Sequence, residues 1–248
     1  MTFNGKARWL MMNMNVFRMP EWYPKLYKDC FQTVFIELDS PELEALKQGE
    51  TDGETVKAFL PELHRVMSNF SGAKFFSVDT VAPTDTERFR EKRGAVHSAS
   101  SAWKVLASSE KVRSAAEAGL VSSICIRPFR RMQPAREFRL FIKNSKLAGM
   151  SQYWLTRHFR RLPARLEHYW ESASALVERI SGDLPVPDLA LDIYFKKTGE
   201  ILIIDLNPWG EPTDPLMYNT WERDWSAPGR CEIVPPPHQV SGDVDVRF

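Results

Sequence analysis

Asp192, Asp205 and Asn207 are the residues of this 248-residue chain whose types and spacing point most directly to chemistry, in the stretch LDIYFKKTGEILIIDLNPWGEPTD at 191–214. Leu189, Leu191, Ile193 and Phe195 alternate with Ala190, Asp192 and Tyr194, and Ile201, Ile203 and Asp205 alternate with Leu202, Ile204 and Leu206. That period of two predicts a β-hairpin, with Lys196 to Gly199 as its turn. A loop of two or four residues opposes Asp192 to Ile203 and leaves Asp205 diagonal to it, roughly 7–8 Å away. A three-residue loop sends Asp205 to the other face, so a shared site requires an even loop. Hard divalent cations prefer oxygen ligands, and magnesium takes one or two carboxylates plus substrate phosphates. Asp192, Asp205 and the amide oxygen of Asn207 meet that demand. The bland reading is that each acid ends or solvates a strand.

A second constellation is basic. IRPFRRMQPAREFRLFIK places Arg127, Arg130, Arg131, Arg136, Arg139 and Lys143 close together. Along EFRLFIK, Glu137, Arg139, Phe141 and Lys143 share one strand face and Phe138, Leu140 and Ile142 the other. A solvated face accounts for most of these charges. Arg139 and Lys143 are the candidates for phosphate, since a guanidinium grips oxygens in a two-pronged fork. Arg157, His158, Arg160, Arg161 and Arg165 form a second basic patch, a surface for an acidic substrate or partner or simply a solvated face.

The elements that position these residues read as mixed α/β. Strands are expected at 30–38, 74–81, 122–129 and 136–154, the last with a turn at Asn144–Ser145. Helices are expected after Ser40 with Pro41 in the first turn, through 55–70 with an interruption at Pro61, over 100–118, and over 164–180. Length and hydrophobic content suffice for one large domain or two small ones sharing a core, and the tail at 228–248 reads as weakly structured. With 33 basic and 32 acidic residues the net charge of +1 gives no global pull toward nucleic acid or membrane. No run approaches the roughly 18 apolar residues of a membrane span, and the Met-rich opening lacks a leader pattern, so a cytoplasmic location is the expectation. Cys30, Cys125 and Cys231 suit reduced thiols. No Gly-rich phosphate loop, HExxH or GxSxG is present.

PEWYPKLYKDCFQTVFIEL at 20–38, the central block IRPFRRMQPAREFRLFIKNSKLAGMSQYW, and LDIYFKKTGEILIIDLNPWGEPTDPLMY together resemble the cell division cycle protein 123 family. The resemblance implies an ATP-grasp fold, two lobes with largely antiparallel sheets enclosing a nucleotide cleft, one at 1–121 and one at 122–227 that carries the hinge and metal site. It implies ATP and magnesium as cofactors, with Asp192, Asp205 and Asn207 as metal ligands, Arg127 through Phe129 along the nucleotide, and Arg139 near phosphate. Eukaryotic members assist assembly of the heterotrimeric initiation factor that carries initiator tRNA, whose gamma subunit is then the client. The family's usual basic residues are replaced by Ser77, Thr84 and Ala107, with Lys74 or Lys104 as candidates for compensation, while Asp85 remains. The acidic-aromatic residues after its Ser-Gln pair are replaced by Tyr153–Trp154. The readings that follow are a nucleotide-dependent assembly factor or chaperone, a carboxylate–amine ligase working through an acyl phosphate, or a scaffold without nucleotide.

Overall fold

The computed structural model describes residues 14–226 and 229–237; the Met-rich opening and the end of the expected tail lie outside them. Two sheets carry the architecture. β1 (Val34–Glu37), β2 (Lys74–Val78) and β3 (Ser123–Pro128) form an antiparallel sheet in the order β1-β3-β2. β4 (Glu137–Lys143), β5 (Lys146–Gln152), β6 (Leu189–Phe195), β7 (Ile201–Pro208) and β8 (Cys231–Glu232) form the second, in the order β7-β6-β4-β5-β8. Its pairings are antiparallel except for β8, which joins β5 in parallel. The result is a mixed α+β arrangement with largely antiparallel sheets.

Each sheet has its own apolar core. Around the first lie α2 (Ser40–Lys47), α3 (Glu54–Met67), α4 (Glu87–Lys92), α5 (Ala99–Ala107) and α6 (Glu110–Glu117), and the core there includes Leu46, Leu63, Trp103, Leu106, Phe76 and Ile124. The second is built from the apolar face of β4 and β6, namely Phe138, Leu140, Leu191 and Ile193. It is covered by Tyr169, Leu176 and Ile180 of α7 (Leu166–Ile180) and by Trp22 and Leu26 of α1 (Met19–Leu26). α1 precedes every strand in sequence yet packs in the second core, and β3 is the middle strand of the first sheet. A division at 121/122 therefore passes just before a strand that completes the first sheet.

Three local expectations are corrected. α3 runs through Pro61 without a break, because Val56, Phe59, Leu63, Val66 and Met67 make a continuous buried stripe that outweighs the lost backbone bond. The expected helix over 100–118 is two: the Ser109 hydroxyl accepts from Val112 N and starts α6 afresh. Ser40 lies inside α2, with Asp39 in the cap position. The hairpin β4–β5 turns where expected, on Asn144 and Ser145 with φ of 51° and 59°, the positive values that suit a tight hairpin.

Asp79 ties the pieces together. Just past β2 and almost fully buried, its carboxylate accepts from Arg18 Nε, from the Ser122 and Ser123 amides and from the Ser122 hydroxyl, at 2.6–3.1 Å. Its carbonyl also accepts from Met19 N at 2.9 Å. Removing it strands a guanidinium and two backbone donors in the interior. Asp79→Ala is expected to cost about 3–5 kcal/mol of stability, read as a lowered urea midpoint at unchanged slope.

Candidate functional site

Asp192 and Asp205 stand directly opposite each other on β6 and β7, but by a different route from the expected even loop. Phe195 pairs with Ile201, so the loop is 196–200, an odd one. Carried unchanged, that register opposes Asp192 to Ile204 and turns Asp205 to the other face. A β-bulge between Asp192 and Ile193 leaves Ile204 unpaired and restores Asp205 to the face of Asp192. Opposed residues have Cα atoms roughly 4.5–5.5 Å apart, closer than the expected diagonal. Asn207, opposite Ala190, lies on the same face, and its Nδ2 donates to Asp192 Oδ2 at 3.1 Å.

The bulge has a second effect. The carbonyl of Ile204 accepts from Arg127 Nη1 at 3.0 Å, so β3 of the first sheet is tied to β7 of the second, the strand that carries Asp205. Arg127 is buried, and its Nε has no hydrogen-bond partner among the described residues. Together with Asp205, Ile204, Ser77, Ala82 and Phe129 it lines a cavity of about 110 Å³ at the junction of the sheets.

Arg139 lies beside Asp192 across the β4–β6 ladder. It grips that carboxylate with Nε at 2.7 Å and Nη2 at 2.8 Å, while Nη1 donates to the Asp214 carbonyl at 2.8 Å. The NPWGEPTD segment thus folds back over the arginine. Glu137 and Arg139 are buried, so this strand face is not the solvated one that charge alone suggested. Lys143 is elsewhere. At the far end of β4, roughly 13 Å along the strand from Arg139, it pairs with Asp188 at 2.6 Å and lies 4.9 Å over the Trp209 ring. The structure places it apart from Asp205.

Electrostatics distinguish the two acids. Burial first, then the Asp192 charge, pushes the Asp205 carboxyl up to about 7, against the pull of Arg127. Burial works against the Arg139 charge, but Asp192 more than offsets it and raises the guanidinium further. The Tyr153 hydroxyl is pushed up to about 12, chiefly by Asp192, and its ring lies 5.4 Å from the Arg139 guanidinium. Burial raises Glu137, partly opposed by the 2.9 Å bond from Trp154 Nε1. Glu137, Tyr153 and the Asp214 carbonyl were not singled out as site residues in the sequence; only the Tyr153–Trp154 replacement hinted at them.

Two opposed carboxylates and an amide suit a hard cation that keeps water and phosphate in the rest of its shell, the usual pattern for magnesium. Among the described residues no group of three or more His, Cys, Asp or Glu side chains forms a protein-only metal cage. On the opposite wall, Ser77 and Ala82 line the cavity, and Arg127 and Arg130 are its cations. Lys74 is buried in β2, and Ala107 is fully buried. Asp85 secures the start of α6. Burial acts against its charge, but bonds from the Ser109 hydroxyl and the amides of Lys111 and Glu110 hold its carboxyl below the usual range.

No helix of the described residues is long and apolar enough to cross a membrane. The chain is 35% identical over 100 residues to a translation initiation factor eIF2 assembly protein of Xenopus laevis, a match covering 40% of this chain and 29% of that one. The counterpart from Kluyveromyces lactis is 32% identical over 94 residues, covering 36% and 24%. The matched segments thus span less than a third of either relative. Among solved structures, Cdc123 from Schizosaccharomyces pombe superposes with a TM-score of 0.78 at 17% identity, covering 91% of this chain and 98% of that one, which shows a shared fold. The family model D123 matches residues 39–225, more than half of the chain, and the protein belongs to the D123 family.

Proposed function

We propose that this protein binds ATP with magnesium between its two sheets and uses the bound state to assist assembly of a protein complex. The observation that carries the nucleotide half is the bulge at Ile204, which sets Asp192 opposite Asp205 beside the cavity holding Arg127 and Phe129. The assembly half is supported by family membership and by relatives described as eIF2 assembly proteins. The cytoplasm is the matching location.

In this reading the base enters the cavity between Phe129 and the wall formed by Ser77 to Ala82, and the Arg127 Nε finds its missing acceptor there. Asp192, Asp205 and the Asn207 amide oxygen would hold the metal, which would neutralise phosphate charge. Arg139, whose fork grips Asp192, has the planar geometry to take phosphate oxygens instead. Lys143, tied to Asp188, would have to leave that pair and the Trp209 ring to reach the nucleotide.

Titration calorimetry with ATP, with and without magnesium, tests the reading. Magnesium-dependent binding is the expected result; no heat at millimolar ATP in either condition overturns it.

A further inference from the structure

The loop between β5 and α7 presents a surface that the proposed site does not use. Tyr153, Trp154 and Leu155 are exposed in succession, and they are three of the four large apolar side chains exposed among the described residues. Arg157, Arg160, Arg161 and Arg165 follow, all exposed, and no acid occurs between Tyr153 and Leu166. None of these arginines forms a salt bridge among the described residues, whereas Arg139, Arg179 and Arg230 do.

The loop is held in shape from beneath. Buried Gln152 donates to the Arg157 carbonyl at 2.7 Å and accepts from Val234 N at 3.3 Å. His158 Nδ1 meets the Val234 carbonyl at 2.8 Å, while Leu162 is buried and Phe159 packs against the second core. The inward side chains fix the backbone, and the arginines and the apolar trio are left outward. The surface also borders the metal-bearing face, since the Tyr153 ring lies against Arg139 and Trp154 donates to Glu137.

We infer that this loop docks an acidic segment of a protein partner, whose Asp and Glu side chains meet Arg157, Arg160, Arg161 and Arg165 and whose apolar anchor rests on Leu155 and Trp154. Charge complementarity selects the occupant. Four arginines in one loop demand a concentrated negative charge, and a guanidinium pairs a carboxylate in a planar fork. A nucleic acid fits less well: the chain's net charge is +1, the Arg139 guanidinium already lies against the Tyr153 ring, and Glu137 lies at the loop's base. The inference extends the protein-partner half of the proposed function, and its test runs without nucleotide, so failure of ATP binding leaves it standing.

The probe is a fluorescein-labelled twelve-residue peptide rich in Asp and Glu with one central Phe, followed by anisotropy on the full chain at low and physiological salt. Binding that weakens with salt is expected, with at least a tenfold loss in Arg157→Glu/Arg160→Glu/Arg161→Glu and a smaller loss in Leu155→Ser. These positions are exposed and outside the nucleotide site, and an unchanged melting temperature checks their folding. Equal binding of the triple variant, or equal binding of a Lys-rich peptide, overturns the inference. Tighter binding of a single-stranded RNA oligomer than of the peptide assigns the surface to nucleic acid instead. Concentration-dependent dimerisation that the triple variant abolishes assigns it to a second copy of the chain; either result also overturns the inference.

Discussion

Asp205→Asn is expected to make the metal-free protein more stable at pH 8 and at the same time to abolish the magnesium-dependent part of its nucleotide affinity. The sign follows from the carboxyl lying at about 7 in the fold against an ordinary 3.8. A raised carboxyl means that folding favours the protonated form. The penalty for its charge is absent below pH 4, grows between pH 4 and 7, and is constant above. Three units convert at 1.36 kcal/mol each, and because the side chain is only half-buried a reduced figure, on the order of 2 kcal/mol, is the expected gain for asparagine at pH 8. At pH 4 the two proteins should melt together. A thermal melt series from pH 4 to 8 checks this; a stabilisation independent of pH would mean that the asparagine acts through packing rather than charge. The same substitution removes one of two carboxylates facing a cation, so calorimetry should show ATP binding that no longer responds to magnesium. Substitutions that gain stability are usually neutral or costly to function, and costly where function depends on a destabilised site. Here gain and loss share one cause, a carboxylate whose burial, with the Asp192 charge opposite it, disfavours ionisation in a way that a facing cation is suited to relieve.

The types of these residues were legible in the sequence, and their geometry was not. Alternation of apolar residues gave β6 and β7 nearly to the residue, and oxygen-ligand chemistry marked Asp192, Asp205 and Asn207. The register was hidden, because a bulge depends on how the strands meet. Only the folded chain shows that Arg127, far away in sequence, donates to the Ile204 carbonyl and so accompanies the extra residue. Charge patterning misjudged β4 for a related reason. A solvated face accounted for most of the charges around β4, yet the returning segment through Asp214 and the Tyr153–Trp154 loop cover Arg139 and Glu137. Propensity also failed at 100–118, where a serine that helices tolerate became a cap because Asp85 lay within reach of its hydroxyl. In each case a contact distant in sequence decided a local outcome.

Arg139→Met should be the most destabilising single change at the site, and magnesium should repair part of it. Among the described residues, the guanidinium supplies two of the three hydrogen bonds that reach the buried Asp192 carboxylate, the third coming from Asn207. Deleting it leaves a buried acid opposite another acid, a loss of about 3–5 kcal/mol. Arg139→Met with Asp192→Leu should recover most of that, since the costly element is the unpaired charge and not the missing arginine. The informative comparison is between magnesium responses. In the parent, Arg139 already neutralises Asp192 and competes with a cation for its oxygens, so millimolar magnesium alone should raise the melting temperature little. In Arg139→Met those oxygens lose the guanidinium and keep only the Asn207 amide, and a ligand at free concentration L that binds only the folded state stabilises it by RT ln(1 + L/Kd). The variant's melting temperature should therefore rise several degrees with magnesium, and the double variant's should not. If the single variant is destabilised but indifferent to magnesium, Asp192 and Asp205 form a structural ion-pair cluster and the metal assignment fails. If it responds, Asp192 and Asp205 take a cation once the guanidinium is gone, as the proposed metal site requires.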